Sequence, residues 1–176
     1  MLGISTVWKS GELKDGQKLM ECFAGLGFRE VELEYRIDGN TFKQIKQFLN
    51  KAKDLKIVSI HNFFPVPDIL ETGGADVFHF SSEDREERSL AVKYAVKTIQ
   101  IASELGARAV VLHLGMIQMD TLSDELFGLY DDGKVGSDEH KRKLDEFRKL
   151  RDRKKGKSLD MMLLSMDEIQ KVAEKY

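Results

Sequence analysis

Residues 56–67, KIVSIHNFFPVP, decide the fold class of this chain. The segment begins as a run of β-branched and apolar residues, which is typical of a buried strand. The run ends at His61, and the two prolines that follow do not allow a strand to continue. Residues 108–115, RAVVLHLG, repeat the pattern and end at His113. Two buried strands that each end in a histidine predict a parallel sheet with one functional rim.

Strand-like and helix-like segments alternate along the whole chain. Strands are predicted at 2–8, 28–37, 56–61 and 108–113, each followed by a segment with helical periodicity, and a further charged helix is predicted at 137–155. Such alternation requires parallel strands with right-handed crossovers. We therefore predict an α/β fold of about four (β/α) units, in an open sheet or a barrel. The first turn contains no glycine-rich phosphate loop, which disfavours a nucleotide-binding sheet.

Composition restricts the class of protein further. The chain has 176 residues, the size of one domain, and its formal net charge is -2. This charge gives no general attraction to nucleic acid or to acidic lipid. The single cysteine fits a reducing compartment, and no window approaches the roughly 20 apolar residues of a membrane span. We expect a cytoplasmic protein that does not bind a membrane and for which nucleic acid is a disfavoured partner.

His61 and His113 are the main candidates for chemistry. If their strands are neighbours, a strand spacing of about 4.8 Å lets the two imidazoles converge. A neutral imidazole binds metal ions or acts as a general acid or base near neutral pH. The alternative is that each histidine only makes a hydrogen bond to a loop carbonyl. The matched positions of the two residues favour the functional interpretation.

Four segments of the chain resemble the xylose isomerase-like family of TIM barrels. They are LGIST at the first strand, GFREVELE at the second, SIHNFFPVP at the third, and ERSLAVKYAVKTIQIASELGARAVVLHLG leading through a helix into the fourth. The family includes sugar and sugar-phosphate isomerases and epimerases, and DNA-repair enzymes of the endonuclease IV type. In the endonuclease branch the resemblance implies that both histidines bind metal, and in the isomerase branch that they line the substrate pocket.

Glu32 matches the glutamate of the VEL motif of this family. The resemblance implies that Glu32 is a catalytic-site residue that binds a sugar hydroxyl or orients a ligand. Glu30 and Glu34 share its strand face, where three carboxylates repel one another unless some reach the open mouth of the barrel. The alternative for Glu32 is an ion pair with a Lys or Arg on an adjacent strand.

Side chains that follow the strand ends are the candidates for substrate binding. Trp8 and Phe63 are predicted to stack on a sugar face or to form an apolar wall, with Asn62 beside them. For these aromatic side chains, packing in the core or under a loop is the favoured interpretation. His79 has no partner pattern and is predicted to lie at the surface.

The length of the chain limits what it does alone. A barrel of this type needs eight strands and typically about 250 residues, so residues 1–176 are expected to be a single domain, the N-terminal half of a larger barrel. In the family, the fifth to eighth strands supply most of the metal ligands, and two histidines fall short of the three or four that hold a catalytic zinc. The chain as given is therefore predicted to be inactive and to self-associate through exposed strand edges or apolar faces.

The resemblance leads to one preferred function for the parent enzyme. We expect a sugar or sugar-phosphate isomerase or epimerase that uses a divalent metal ion, Mn, Mg, Co or Zn, with His61 and His113 as candidate ligands. The first alternative is an abasic-site endonuclease of the endonuclease IV type. The second is a non-catalytic half-barrel that pairs with another copy or with its missing half.

Overall fold

The computed structural model describes residues 2–117, 119 and 123–176. In this part of the chain, four parallel strands lie in the order β1-β2-β3-β4 and are followed by helices, which confirms the predicted α/β fold of (β/α) units. The strands are β1 (Gly3–Ser5), β2 (Glu30–Leu33), β3 (Lys56–His61) and β4 (Ala109–Val111). The helices are α1 (Gly16–Gly25), α2 (Gly39–Lys51), α3 (Arg85–Leu105), α4 (Ser123–Asp131), α5 (Asp138–Lys154) and α6 (Ser158–Ala173).

The helices cover one face of the sheet, because sequential parallel strands with crossovers of one hand carry their helices on the same side. Val31 and Leu33 of β2 are fully buried in a core cluster that includes Leu19 and Phe23 of α1 and Ile45 of α2. Side chains alternate along a strand, so the opposite face of β2 carries glutamates. That polar face corresponds to the inside of a barrel.

The strand β3 contains one more residue than β2 along the ladder. Val31 pairs with Ile57 and Glu32 pairs with Ser59, so Val58 is the inserted residue. The insertion allows Ile57 and Ile60, three positions apart, both to be buried. It also leaves Ser59 and the residue two positions later, His61, on the polar face of the sheet.

Three of the four predicted strands are shorter than the sequence pattern indicates, and β4 ends at Val111, two residues before His113. β1 ends at Ser5 and continues as a 3-10 turn, Thr6–Trp8, in which Lys9 N donates to Thr6 O at 3.0 Å. β2 ends at Leu33, because the side chain of Thr6 accepts a hydrogen bond from the backbone N–H of Glu34 at 3.0 Å. The stretch after β4 contains the short helix α4.

A second core cluster lies below the long segment that joins β3 to α3. Its buried members include Phe63, Phe78 and Phe80 from the segment, Tyr94 from α3, and Ile169 from α6. The cluster fixes the segment against α3 and thereby positions the loop that follows His61. Among the described residues, no helix is both long and apolar enough to cross a membrane.

Candidate active site

His61 and His113 lie side by side at the carboxyl-terminal rim of the sheet. Their ring centroids are 5.0 Å apart and the rings meet edge to face at 68°. β3 and β4 pair in parallel with His61 opposite Val111, so His113 lies two residues further along on the same face. The predicted convergence of the two imidazoles is confirmed, whereas their chemical role stays a prediction.

Each imidazole is held through its Nδ1 atom. Nδ1 of His61 lies 2.9 Å from the backbone carbonyl oxygen of Asn62, and Nδ1 of His113 lies 3.0 Å from a carboxylate oxygen of Asp76. A carbonyl or an ionised carboxylate only accepts hydrogen bonds, so both Nδ1 atoms carry the proton in the neutral rings. The lone pair of each ring is then on Nε2. Nε2 with a free lone pair is the form of histidine that binds a metal ion or accepts a proton.

Two residues of this site were not singled out by the sequence. Asp76 lies in the long segment after β3, and its carboxylate contacts Nδ1 of His113. Tyr35, just after β2, packs edge to face against His61 with ring centroids 5.0 Å apart and an interplanar angle of 73°. A strand-end pattern identifies His61 and His113, but it contains no information about which loop residue folds over them. The one signal for Tyr35 was its place immediately after the VELE segment of β2.

Glu32 lies on the polar face of the sheet and makes one strand-to-strand hydrogen bond. Its Oε2 atom accepts from the hydroxyl of Ser59 at 2.8 Å, across the β2–β3 ladder. The expected pairing with a basic residue occurs instead at Glu30, which lies 3.5 Å from the guanidinium of Arg108. Ser59 orients the Glu32 carboxylate while leaving its second oxygen available. Its role as a catalytic-site residue stays a prediction.

Glu34 is a structural residue that the strand pattern groups with Glu30 and Glu32. Its side chain is 1% exposed, and its carboxylate accepts hydrogen bonds from the hydroxyl of Ser10 and from Arg36. The backbone N–H of Arg36 donates at 2.9 Å and its Nε donates at 3.1 Å. These contacts balance the buried charge and connect the turn after β1 to the end of β2.

The three predicted substrate contacts lie in different surroundings. Trp8 is 52% exposed, with its ring centroid 6.3 Å from that of Phe23 and 5.1 Å from the Nζ atom of Lys9. Asn62 and Phe63 are each 1% exposed. The side chain of Asn62 accepts a hydrogen bond from the hydroxyl of Thr98 at 2.9 Å. The side chain of Trp8 is therefore accessible from solvent, whereas those of Asn62 and Phe63 are not, and the role of all three in substrate binding stays a prediction.

His79 differs from its predicted surface position. Its side chain is 19% exposed, and Nδ1 lies 2.7 Å from a carboxylate oxygen of Glu87. The backbone N–H of His79 also donates to Glu87 at 2.9 Å. Burial alone would raise the pKa of Glu87, but hydrogen bonds from Ser82 and His79 outweigh it and lower that pKa. The prediction was wrong because a contact across eight residues to the first turn of α3 leaves no local sequence pattern.

The two imidazoles are donors of a kind that binds metal ions, but two ligands alone do not complete a coordination shell. Among the described residues, no group of three or more His, Cys, Asp or Glu side chains is arranged to hold a metal ion. His61 and His113 each present Nε2, and the partner on Nδ1 that orients a metal-binding histidine is in place for both. A metal ion bound by His61 and His113 would need further ligands beyond these two histidines.

Residues 22–153 match the family model described as xylose isomerase-like TIM barrel. The chain belongs to this family. Among solved structures, it is similar to the apo form of 3-keto-D-glucoside 4-epimerase from E. coli, with a TM-score of 0.56 and 15% sequence identity. The similarity covers 93% of this chain and 48% of that one, so the chain spans about half the length of the epimerase. No curated protein matches the sequence significantly.

Membership of the xylose isomerase-like family agrees with the architecture. Four parallel strands in sequential order are what half of an eight-stranded barrel contains. In such barrels the functional rim is the carboxyl-terminal one, where His61 and His113 lie.

Proposed function

We propose that this chain supplies one wall of the active site of a metal-dependent sugar or sugar-phosphate isomerase or epimerase. The observation that carries the proposal is the pair of adjacent imidazoles, whose ring centroids are 5.0 Å apart; both Nδ1 atoms contact acceptors, and neither Nε2 atom has a partner among the described residues. Membership of the xylose isomerase-like family supports it, because that family includes sugar isomerases and epimerases. In this proposal the whole site also uses residues from the other half of the barrel.

The residues of the wall have distinct roles in the proposal. His61 and His113 would hold a divalent cation through Nε2, with Asp76 and the carbonyl of Asn62 fixing their tautomers. The cation, when bound, supplies Lewis acidity toward neighbouring oxygens of a sugar. Glu32 accepts or returns a proton beside the sugar carbonyl, since Ser59 occupies only one of its two carboxylate oxygens. Trp8, which is 52% exposed, would contact the apolar side of the sugar ring.

A binding experiment tests the proposal without requiring turnover by this chain. Trp8 is the only tryptophan, so its fluorescence reports on the rim directly. Ketose phosphates added with Mn²⁺ are expected to quench Trp8, and the variants H61A and H113A are expected to abolish the Mn²⁺-dependent part. Absence of any Mn²⁺-dependent response to sugars contradicts the proposal.

Three controls accompany the fluorescence experiment. An abasic-site DNA duplex serves as the second ligand, and a metal-dependent response to that duplex alone would support the endonuclease alternative. Deuterium exchange into the carbon next to the ketose carbonyl measures chemistry directly, and the isolated chain is expected to catalyse none. The variant H140A removes a histidine from helix α5 and is expected to leave the sugar response unchanged.

A further inference from the structure

Asp76 contacts His113 although neither side chain is buried. The side chain of Asp76 is 62% exposed and that of His113 is 44% exposed. An exposed pair of this kind gains little from attraction alone, because water screens the charge and both side chains lose freedom. The side chain of an aspartate is also short, so its carboxylate reaches the ring only if the backbone at residue 76 is held nearby. The contact therefore depends on what holds this backbone.

Gly73 lies three residues before Asp76 and packs against the chain just after β2. A Cβ atom at residue 73 would overlap the backbone carbonyl oxygen of Tyr35 and would lie 2.9 Å from the side chain of Val66. The carbonyl of Tyr35 cannot move freely, because the residue before it, Glu34, is fixed by hydrogen bonds through its backbone and its side chain. Only glycine therefore allows the segment to come this close to the rim.

Ser81 holds the other end of the same stretch against the chain that follows β4. Its hydroxyl donates to the carbonyl oxygen of Met116 at 3.2 Å, and Ser81 is 6% exposed. Gly115 makes room for this side chain, since a Cβ atom at residue 115 would overlap the Ser81 hydroxyl. The φ angle of Gly115 is 124°, which residues with a side chain rarely adopt. Ser81 is thus joined to the chain two residues after His113.

We propose that Gly73 and Ser81 are positioning residues that hold the carboxylate of Asp76 against Nδ1 of His113. Their contacts lie on either side of Asp76 and join its backbone to the ends of β2 and β4. Phe78, between them, stacks on a tyrosine of α3, which fixes the stretch to the helix but does not set its distance from the rim. The consequence for metal binding rests on the proposed function, whereas the orientation of the ring does not.

Nitrogen NMR of the imidazole rings tests the proposal without any metal ion. G73A is expected to lower the ratio of the Nδ1–H to the Nε2–H form of His113 about tenfold, because a displaced carboxylate no longer accepts from Nδ1. His61 is the internal reference, since its Nδ1 contacts the carbonyl oxygen of Asn62 instead. G74A is the matched control, because a Cβ atom there would meet only a side-chain methyl group. An unchanged His113 ring in folded G73A, or an equal change in G74A, overturns the proposal.

The second contact is tested by a substitution that adds no atoms. S81A removes the hydroxyl and is expected to shift the ratio of the two His113 forms in the same direction, by about threefold. S82A is its control, because the hydroxyl of Ser82 accepts from the backbone N–H of Asp84. If G73A does not fold, S81A decides the matter. A His113 ring that is unchanged in S81A, or changed equally in S82A, overturns the proposal.

A Mn²⁺ titration separates this inference from the proposed function. G73A is expected to weaken Mn²⁺ binding about tenfold, and to have no further effect in the D76A background, because Gly73 acts through Asp76. An equal loss in both backgrounds would show that Gly73 acts independently of Asp76 and would overturn the positioning role. Absence of Mn²⁺ binding by the unsubstituted protein contradicts the proposed function, while the ring measurements still decide the role of Gly73 and Ser81.

Discussion

The carboxylate of Asp76 lies 3.0 Å from Nδ1 of His113, although 37 residues separate the two in sequence. The contact joins the long segment after β3 to the end of β4. It assigns the proton of the neutral ring to Nδ1 and leaves on Nε2 the lone pair that can bind a metal ion. Asp76 is thus a positioning residue for the candidate metal-binding histidine.

Replacement of this carboxylate tests that role. D76A is expected to weaken Mn²⁺ binding at His113 by about tenfold, the usual effect of removing a residue that orients a metal-binding histidine. Nitrogen NMR of the ring is expected to show loss of the Nδ1–H preference in the same variant. D68A is the matched control, because Asp68 belongs to the same segment but bonds to Tyr94. Equal effects of both substitutions would mean that Asp76 only stabilises the segment.

The buried carboxylate of Glu34 is expected to matter for stability rather than for chemistry. E34A leaves the hydroxyl of Ser10 and the guanidinium of Arg36 without their acceptor, and should lower the free energy of unfolding by about 2–3 kcal/mol. E30A makes the same change on the same strand at an exposed ion pair, where a loss below about 1 kcal/mol is expected. Urea denaturation measures both. Similar losses for the two variants would refute the structural assignment of Glu34.

Thr98 connects α3 to the loop that follows His61. Its hydroxyl accepts from the backbone N–H of Phe64 at 2.9 Å and lies 2.9 Å from the side-chain oxygen of Asn62, and Thr98 is fully buried. T98V leaves the Phe64 N–H without a partner and is expected to cost about 1–3 kcal/mol of stability. T98S keeps the hydroxyl and loses one methyl group, about 1 kcal/mol. A smaller cost for T98V than for T98S would contradict the importance of this hydrogen bond.

A pH titration tests the contact between Tyr94 and Asp68. The hydroxyl of Tyr94 donates to Asp68 at 2.6 Å, and this bond, together with burial, raises the pKa of Tyr94 to about 12 from 10.0. The raised pKa contributes stability that is complete below pH 10.0 and is lost as the pH rises toward 12. The same bond lowers the pKa of Asp68, so its contribution is complete above 3.8 and is lost at lower pH.

Ultraviolet difference spectroscopy follows the four tyrosines separately from unfolding. One of them is expected to ionise near pH 12 in the folded protein, and D68N is expected to return it toward its usual value. Y130F removes an exposed tyrosine and is expected to leave that late step in place. Ionisation of all four tyrosines near pH 10 would contradict the hydrogen bond.

The parts of the fold that the sequence predicts are those with a local pattern. The β-branched run that ends at His61 predicts a buried parallel strand, and the matching run before His113 predicts its neighbour. The insertion of Val58 in β3 cannot be predicted from a local sequence pattern, because it depends on the register between β2 and β3. The side-chain partners Asp76 and Ser59 are likewise set by packing between distant segments. Sequence therefore identifies the ring pair, and only the structure shows how each ring is oriented.

The paramagnetic effect of Mn²⁺ on the four histidine side chains tests the central claim most directly. His61 and His113 are expected to lose their ring signals in NMR spectra together, at Mn²⁺ concentrations about tenfold below those that affect the two other histidines, His79 and His140. The Nε2 atom of His79 is buried and His140 lies in α5, away from the ring pair, so both serve as controls in the same sample. Equal broadening of all four rings, or broadening of His79 or His140 first, would contradict a metal-binding wall formed by His61 and His113.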